Sequence, residues 1–256
     1  MTVFLADKLP QDATDQLKTL GLTVKEEAKA TTALLDKGLS DSQVLIVRST
    51  VVSRTCIENS PNLSLIVRAG AGVNNIDMEA ASDYGIYVAN CPGKNAIAVA
   101  ELTIALILAA DRFIAENVNG FRNGEWNKAA YSKADGLFGK TLGIIGTGQI
   151  GQEVIHRAKA FGMNVIAWSR SLTEEMADEL EITRAGSVKE VASGCDILSV
   201  HLALKPQTRG IISSEILGQL KDGALVVNTS RAEVIDEDAL FDELSSGRLK
   251  AALDVF

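Results

Sequence analysis

Short apolar runs alternate with amphipathic stretches along almost the whole chain, and glycines or polar clusters separate them. In the first third, Thr2–Ala6, Leu22–Glu26, Gln43–Val47, Leu65–Val67 and Ile86–Ala89 are too short for helices, which predicts strands. Between them, Gln11–Leu20, Thr31–Lys37 and Met78–Tyr84 carry helical patterns, the first two stopped at Gly21 and Gly38. A longer helical pattern runs from Asn95 to Phe121, Ala-rich at first and polar from Asp111 onward. Strands are predicted again at Leu142–Ile145, Asn164–Trp168, Asp196–Val200, Ala224–Val227 and Ala251–Leu253. Helices are predicted at Gln149–Phe161, Thr173–Leu180, Val188–Ser193, Ser213–Gln219 and Glu237–Ser245. Such alternation predicts an α/β fold with two doubly wound parallel sheets, the long helix acting as connector.

The most informative junction joins Leu142–Ile145 to Gln149–Phe161. Gly146, Gly148 and Gly151 stand there in G-x-G-x-x-G spacing, with a further strand beyond. Gly146 permits a tight turn, Gly148 lets a diphosphate approach the backbone, and Gly151 lets the helix lie on the strand. The free N–H groups and partial positive charge of the helix start suit phosphate. Ile150, Val154, Ala158 and Phe161 are predicted to share the helix's buried face. This junction predicts a dinucleotide site.

Composition narrows the partners. The formal charge is −8, from 25 basic and 33 acidic residues, which argues against nucleic acid. The apolar run Ala96–Ala110 is short and holds Glu101, so it reads as a buried helix and not as a membrane anchor. Cys56, Cys91 and Cys195 are far apart and form no C-x-x-C pair, so reduced cytoplasmic thiols and no metal site are expected. Trp126 sits among polar residues, and packing within the chain and anchoring into a second subunit both stay open.

In open parallel sheets ligands bind beyond the carboxyl ends of strands. The residues expected there are Arg48, Ser49, the Ala69–Gly72 loop, Gly146–Gly151, His201, Thr229, Arg231 and Asp254. Arginine's planar fork matches carboxylate and phosphate, so an anionic substrate beside a dinucleotide is expected in a common cleft.

Several ordered segments then carry a resemblance: Arg68-Ala-Gly-Ala-Gly-Val-Asn-Asn-Ile-Asp77, Asn90-Cys-Pro-Gly-Lys-Asn95, the Gly146–Gly151 loop, Val226-Val-Asn-Thr-Ser-Arg231, Asp236-Glu-Asp-Ala-Leu240 and Ala252-Leu-Asp-Val-Phe256. Together they resemble the D-isomer-specific 2-hydroxyacid dehydrogenases, most of all their phosphoglycerate dehydrogenase branch. The resemblance implies a flavodoxin-like substrate domain over residues 1–94, without its C-terminal return segment, and a Rossmann dinucleotide-binding domain over 95–256. It implies a homodimer or homotetramer that moves hydride between a nicotinamide cofactor and C2 of a D-2-hydroxy acid. Arg231 matches the catalytic arginine, which grips the carboxylate and the C2 oxygen. Asp254 matches a nicotinamide carboxamide contact, Thr229 and Leu202 match its pocket, and Gln149 and Ile150 match backbone contacts to the diphosphate. Arg48, Ser49 and Asn95 match substrate contacts. His201 is read as a pocket residue and His156 as a solvated helix residue. The family's acid/base histidine and its glutamate follow the Leu-Asp-Val-Phe segment, beyond Phe256. These 256 residues alone are therefore expected to bind cofactor and turn over poorly, since a positioned acid/base contributes about 10²–10⁴-fold.

Two departures matter. Ser169 and Arg170 stand where the family's ribose-gripping acid belongs, so NADP is expected to be tolerated or preferred beside NAD. Ala232 and Glu233 follow Arg231 where glycine is usual. The leading expectation is oxidation of 3-phosphoglycerate in serine biosynthesis. A glyoxylate or hydroxypyruvate reductase and a non-catalytic dinucleotide-binding dimer stay open. A methyltransferase fits worst, because Arg231 then has no task.

Overall fold

The computed structural model describes residues 1–132 and 134–256. It divides into two compact units, Met1–Asn95 and Ala96–Phe256. The first unit holds strands β1 (Thr2–Leu5), β2 (Thr23–Glu26), β3 (Val44–Val47), β4 (Leu65–Arg68) and β5 (Tyr87–Asn90). They form one sheet in the order β2-β1-β3-β4-β5, and every pairing is parallel. That is the flavodoxin-like order, with its switch point between β1 and β3. β3 shows why the centre is continuous in apolar residues. Leu45 and Val47 enter one core with Leu35, Ile57 and Ile66, whereas Val44 and Ile46 enter the other with Val3 and Leu5. A strand covered on both faces has no polar side to alternate with.

The second unit holds β6 (Thr141–Ile145), β7 (Asn164–Trp168), β8 (Thr183–Arg184), β9 (Ile197–Val200), β10 (Leu225–Asn228) and β11 (Lys250–Leu253). The order is β11-β10-β9-β6-β7-β8, again all parallel. This is the Rossmann order, and its reversal lies between β6 and β9. Leu142 and Ile144 pack against the helices Ala96–Arg112 and Gln149–Ala160, and Ile145 packs into the opposite core. No helix among the described residues is long and apolar enough to cross a membrane.

The structure departs from the pattern in three places. The expected helix over 95–121 is two helices, Ala96–Arg112 and Ile114–Arg122, broken at Phe113 in the left-handed region with φ 54°. The break follows Asp111, whose carboxylate accepts the Gly136 N–H at 3.1 Å, and Phe113 is turned toward Tyr131, ring centres 6.0 Å apart. On the glycine-loop helix, Ile155 is fully buried while Phe161 is 42% exposed, because Gly162 ends the helix before Phe161 can join the buried stripe. The helix Arg54–Glu58 and the two-residue β8 are too short to show a period, although Ser53 caps the former by accepting the Cys56 N–H at 3.1 Å.

Candidate active site

The second unit places its glycines as the spacing predicts. Gly146 has φ 104°, and a Cβ there would stand 2.5 Å from the His201 carbonyl oxygen. The β6 turn and the loop after β9 can therefore meet only over a glycine. A Cβ on Gly151 would collide with the Gly146 carbonyl oxygen, which fixes the helix against the strand. A Cβ on Gly148 would touch nothing within 4 Å. Packing does not require glycine there, so the open side of Gly148 is a cradle that fits a diphosphate. Gly148 is also the N-cap of Gln149–Ala160 and offers no capping side chain, which leaves the helix's first N–H groups, those of Gln149 and Ile150, for a ligand.

A cleft of about 470 Å³ opens beside this turn. It brings together Gly146, Gly148, Ser169, Arg170 and Leu202 of the expected site residues. Ser169 and Arg170 follow β7 directly, and the Ser169 hydroxyl lies 2.7 Å from that of Thr147. Lys205 and Gln207 also line the cleft, and sequence reading missed them because they sit in an irregular segment. The described lining has two cations and no carboxylate.

Thr229, Arg231 and Asp254 do not line that cleft; they follow β10 and β11. The Asp254 N–H donates to Asn228 at 3.0 Å, continuing the β10–β11 ladder. Asn228 donates its side-chain amide to the Arg231 carbonyl at 2.8 Å and accepts the Ser230 N–H at 2.9 Å, forming a closed turn. Thr229 shares a 3.0 Å hydroxyl contact with Thr103. Ala232 and Glu233 begin a short 3₁₀ turn, Ala232–Val234, so the absent glycine is not needed for this backbone. Among the described residues no carboxylate pairs with the partly exposed Arg231, whose guanidinium rests on the Ser230 carbonyl at 2.6 Å.

His201 follows β9 and also lines the cleft. Its Nε2 lies 2.9 Å from the Ser199 hydroxyl, and its Nδ1 is buried with no partner among the described residues. Burial pushes the imidazole down to about 4, so it is neutral at pH 7. His156 is exposed on its helix, as expected.

In the first unit, Arg48, Ser49 and Asn95 line one pocket of about 610 Å³. Arg68 and Lys94 line it too, which adds two cations to the one expected. Arg68 was legible as the last residue before the Ala69–Gly72 loop; Lys94 carried no signal of its own. Asp7, after β1, accepts the N–H groups of Arg48, Ser49 and Thr50 at 2.7, 3.1 and 3.1 Å. Burial raises its carboxyl, but those N–H donors outweigh burial and hold it below the usual carboxylate range.

Comparison with known proteins adds the lineage. The family described as "D-isomer specific 2-hydroxyacid dehydrogenase, NAD binding domain" matches residues 104–256. A D-3-phosphoglycerate dehydrogenase of Methanocaldococcus jannaschii is 41% identical over 99% of this chain and 48% of its own length. A hydroxypyruvate reductase of Thermotoga maritima is 42% identical over 99% of this chain and 82% of its own. A glyoxylate reductase structure from Paecilomyes thermophila superposes with a TM-score of 0.87 at 32% identity, covering 100% of this chain and 81% of that one. The chain spans about half the length of the phosphoglycerate dehydrogenases it matches. On these grounds the chain belongs to the D-isomer-specific 2-hydroxyacid dehydrogenase family, with phosphoglycerate dehydrogenases among its relatives.

Proposed function

We propose that this chain forms the dinucleotide-binding and substrate-binding parts of a D-2-hydroxyacid dehydrogenase acting on 3-phosphoglycerate and its 2-keto form. The observation that carries the substrate choice is the triple-cation pocket of Arg48, Arg68 and Lys94. Glyoxylate and hydroxypyruvate each bring one carboxylate. A substrate with a phosphate as well gives three cations a task. The cofactor's nicotinamide supplies the hydride donor or acceptor. The chain's own residues bind and orient. The N–H groups of Gln149 and Ile150, with Gly146, Gly148 and Gly151, hold the diphosphate; Ser169 and Arg170 hold the adenosine ribose. Leu202, Thr229 and Asp254 orient the nicotinamide, and Arg231 holds the substrate carboxylate and polarises the C2 oxygen.

The acid-free lining beside Ser169 supports acceptance of NADP(H) as well as NAD(H), with Arg170 and Lys205 as partners for a 2′-phosphate. Neither histidine is suited to move the proton at the C2 oxygen. His201 is half-buried and holds almost no imidazolium to donate at pH 7, and His156 is on an exposed helix face. We assign a self-association role to the exposed Trp126, which is 81% exposed with Phe121 edge-on at 6.5 Å. Sedimentation of Trp126→Ser tests that assignment: it predicts dissociation, and an unchanged sedimentation coefficient rejects it.

The function test is NAD(P)H oxidation with phosphohydroxypyruvate, hydroxypyruvate and glyoxylate, alongside equilibrium titrations of the same compounds. Phosphohydroxypyruvate is expected to bind most tightly, and Arg231→Ala to lower residual turnover about 10²–10³-fold. Equal affinity for all three acids would reject the phosphorylated substrate. Binding of NADH at least a hundredfold tighter than NADPH would reject the NADP reading.

A further inference from the structure

We infer that Asp7 is a positioning residue for the substrate: its carboxylate shapes the Arg48–Thr50 segment into the form that presents Arg48 and Ser49 to the anion. The inference rests on the proposed role of those two residues. Three consecutive N–H groups, those of Arg48, Ser49 and Thr50, converge on one oxygen of Asp7. Successive N–H groups aimed at one point form an anion-holding concavity, and here the chain fills that concavity with its own carboxylate. The same segment is gripped through its carbonyls. Arg68 Nε donates to the Arg48 carbonyl at 3.1 Å, and the Asn75 side-chain amide donates to the Thr50 carbonyl at 2.8 Å.

Solvation alone does not call for this arrangement. Arg48 and Ser49 are exposed, so water could satisfy their N–H groups without any carboxylate. A fixed negative charge beside a pocket for anions also weakens the field that attracts them. What a single oxygen shared by three donors supplies, and water cannot, is a fixed backbone. The loop between β3 and the helix Arg54–Glu58 is then held before substrate arrives, which reduces the ordering cost of binding.

The test uses the full chain and two substitutions at Asp7. Asp7→Asn keeps the shape and removes the charge. Asp7→Glu keeps the charge and moves it by one methylene. Binding of 3-phosphoglycerate and of NADPH is titrated for each, with Arg48→Ala as reference. Positioning predicts that both Asp7 variants weaken 3-phosphoglycerate about 5- to 30-fold, the factor that one to two kcal/mol of lost preorganisation produces, with NADPH unchanged. Full rescue by Asp7→Glu would mean that charge alone matters and would overturn the inference. So would unchanged 3-phosphoglycerate binding in both Asp7 variants while Arg48→Ala weakens it. Unchanged binding in Arg48→Ala would instead remove the substrate reading itself, and the inference with it. If the variants lose the first unit's fold, amide exchange of the wild-type chain decides. Slow exchange at Arg48, Ser49 and Thr50 in the absence of substrate supports a preset segment; exchange at free-peptide rates refutes it.

Discussion

On the proposed reading the two units meet one demand, an anion at the end of a parallel sheet, by opposite means. In the second unit the donors are backbone. Gly146 and Gly151 pack the turn, and the bare N-cap Gly148 leaves the first N–H groups of a twelve-residue helix open. In the first unit the comparable N–H groups, those of Arg48–Thr50, are taken by Asp7, and the cations Arg48, Arg68 and Lys94 face the pocket. Backbone donors have a fixed position and no charge of their own to screen. Side-chain cations offer reach and charge at the cost of rotamer entropy. A dinucleotide diphosphate has one shape and suits the first solution. Small acids of different length suit the second.

The sharpest way to break this contrast is at the glycines. Gly151→Ala drives a methyl into the Gly146 carbonyl and is expected to cost about 3 kcal/mol or more of unfolding free energy, read from urea titrations. Gly148→Ala meets no atom within 4 Å and is expected to cost only about 1 kcal/mol, the loss of a glycine N-cap, while weakening dinucleotide binding tenfold or more. Equal destabilisation by both would show that Gly148 is a packing glycine and not a cradle.

A second test concerns His201. Its pKa falls from 6.5 unfolded to about 4 folded, so between those values the unfolded chain binds more protons. The neutral ring's contribution is therefore intact above pH 6.5 and lost as pH falls toward 4, with a total on the order of 3 kcal/mol. His201→Gln is expected to flatten the stability–pH curve of the second unit across that window. A parallel curve would place the titration elsewhere.

The cations of the first unit should follow side-chain rules. Arg48→Ala and Lys94→Ala are each expected to weaken 3-phosphoglycerate about 10-fold, consistent with one charged hydrogen bond, without affecting NADH. The smallest expected difference is in salt response. Raising ionic strength from 0.05 to 0.5 M, which shortens the screening length from about 14 to about 4 Å, should weaken 3-phosphoglycerate severalfold and NADH less. Equal salt dependence would erase the distinction between the units.

Much of this was legible in the residues, and what was not has physical reasons. Buried strands such as Val44–Val47 and Leu142–Ile145 announce themselves as apolar runs, because both faces are covered. The glycine turn is legible because Gly146 and Gly151 each answer a steric demand and Gly148 keeps the spacing between them. The break at Phe113 was hidden, since a left-handed phenylalanine inside a helical pattern has no local cue and the Asp111–Gly136 contact beside it spans 25 residues. Lys94 and Lys205 were missed because an exposed lysine in a loop looks like any solvated charge until the fold gives it neighbours. Asp7 was invisible as a site residue, because its partners lie 41 to 43 positions away.

The wall that His201 supplies to the Gly146 turn also dictates an order of assembly. β6 is made early in the second unit, yet it lies between β7 and β9, and β9 emerges only after about fifty more residues. During synthesis the glycine turn is therefore made well before the His201 carbonyl that packs over it, so this contact can close only after residue 201 has been added.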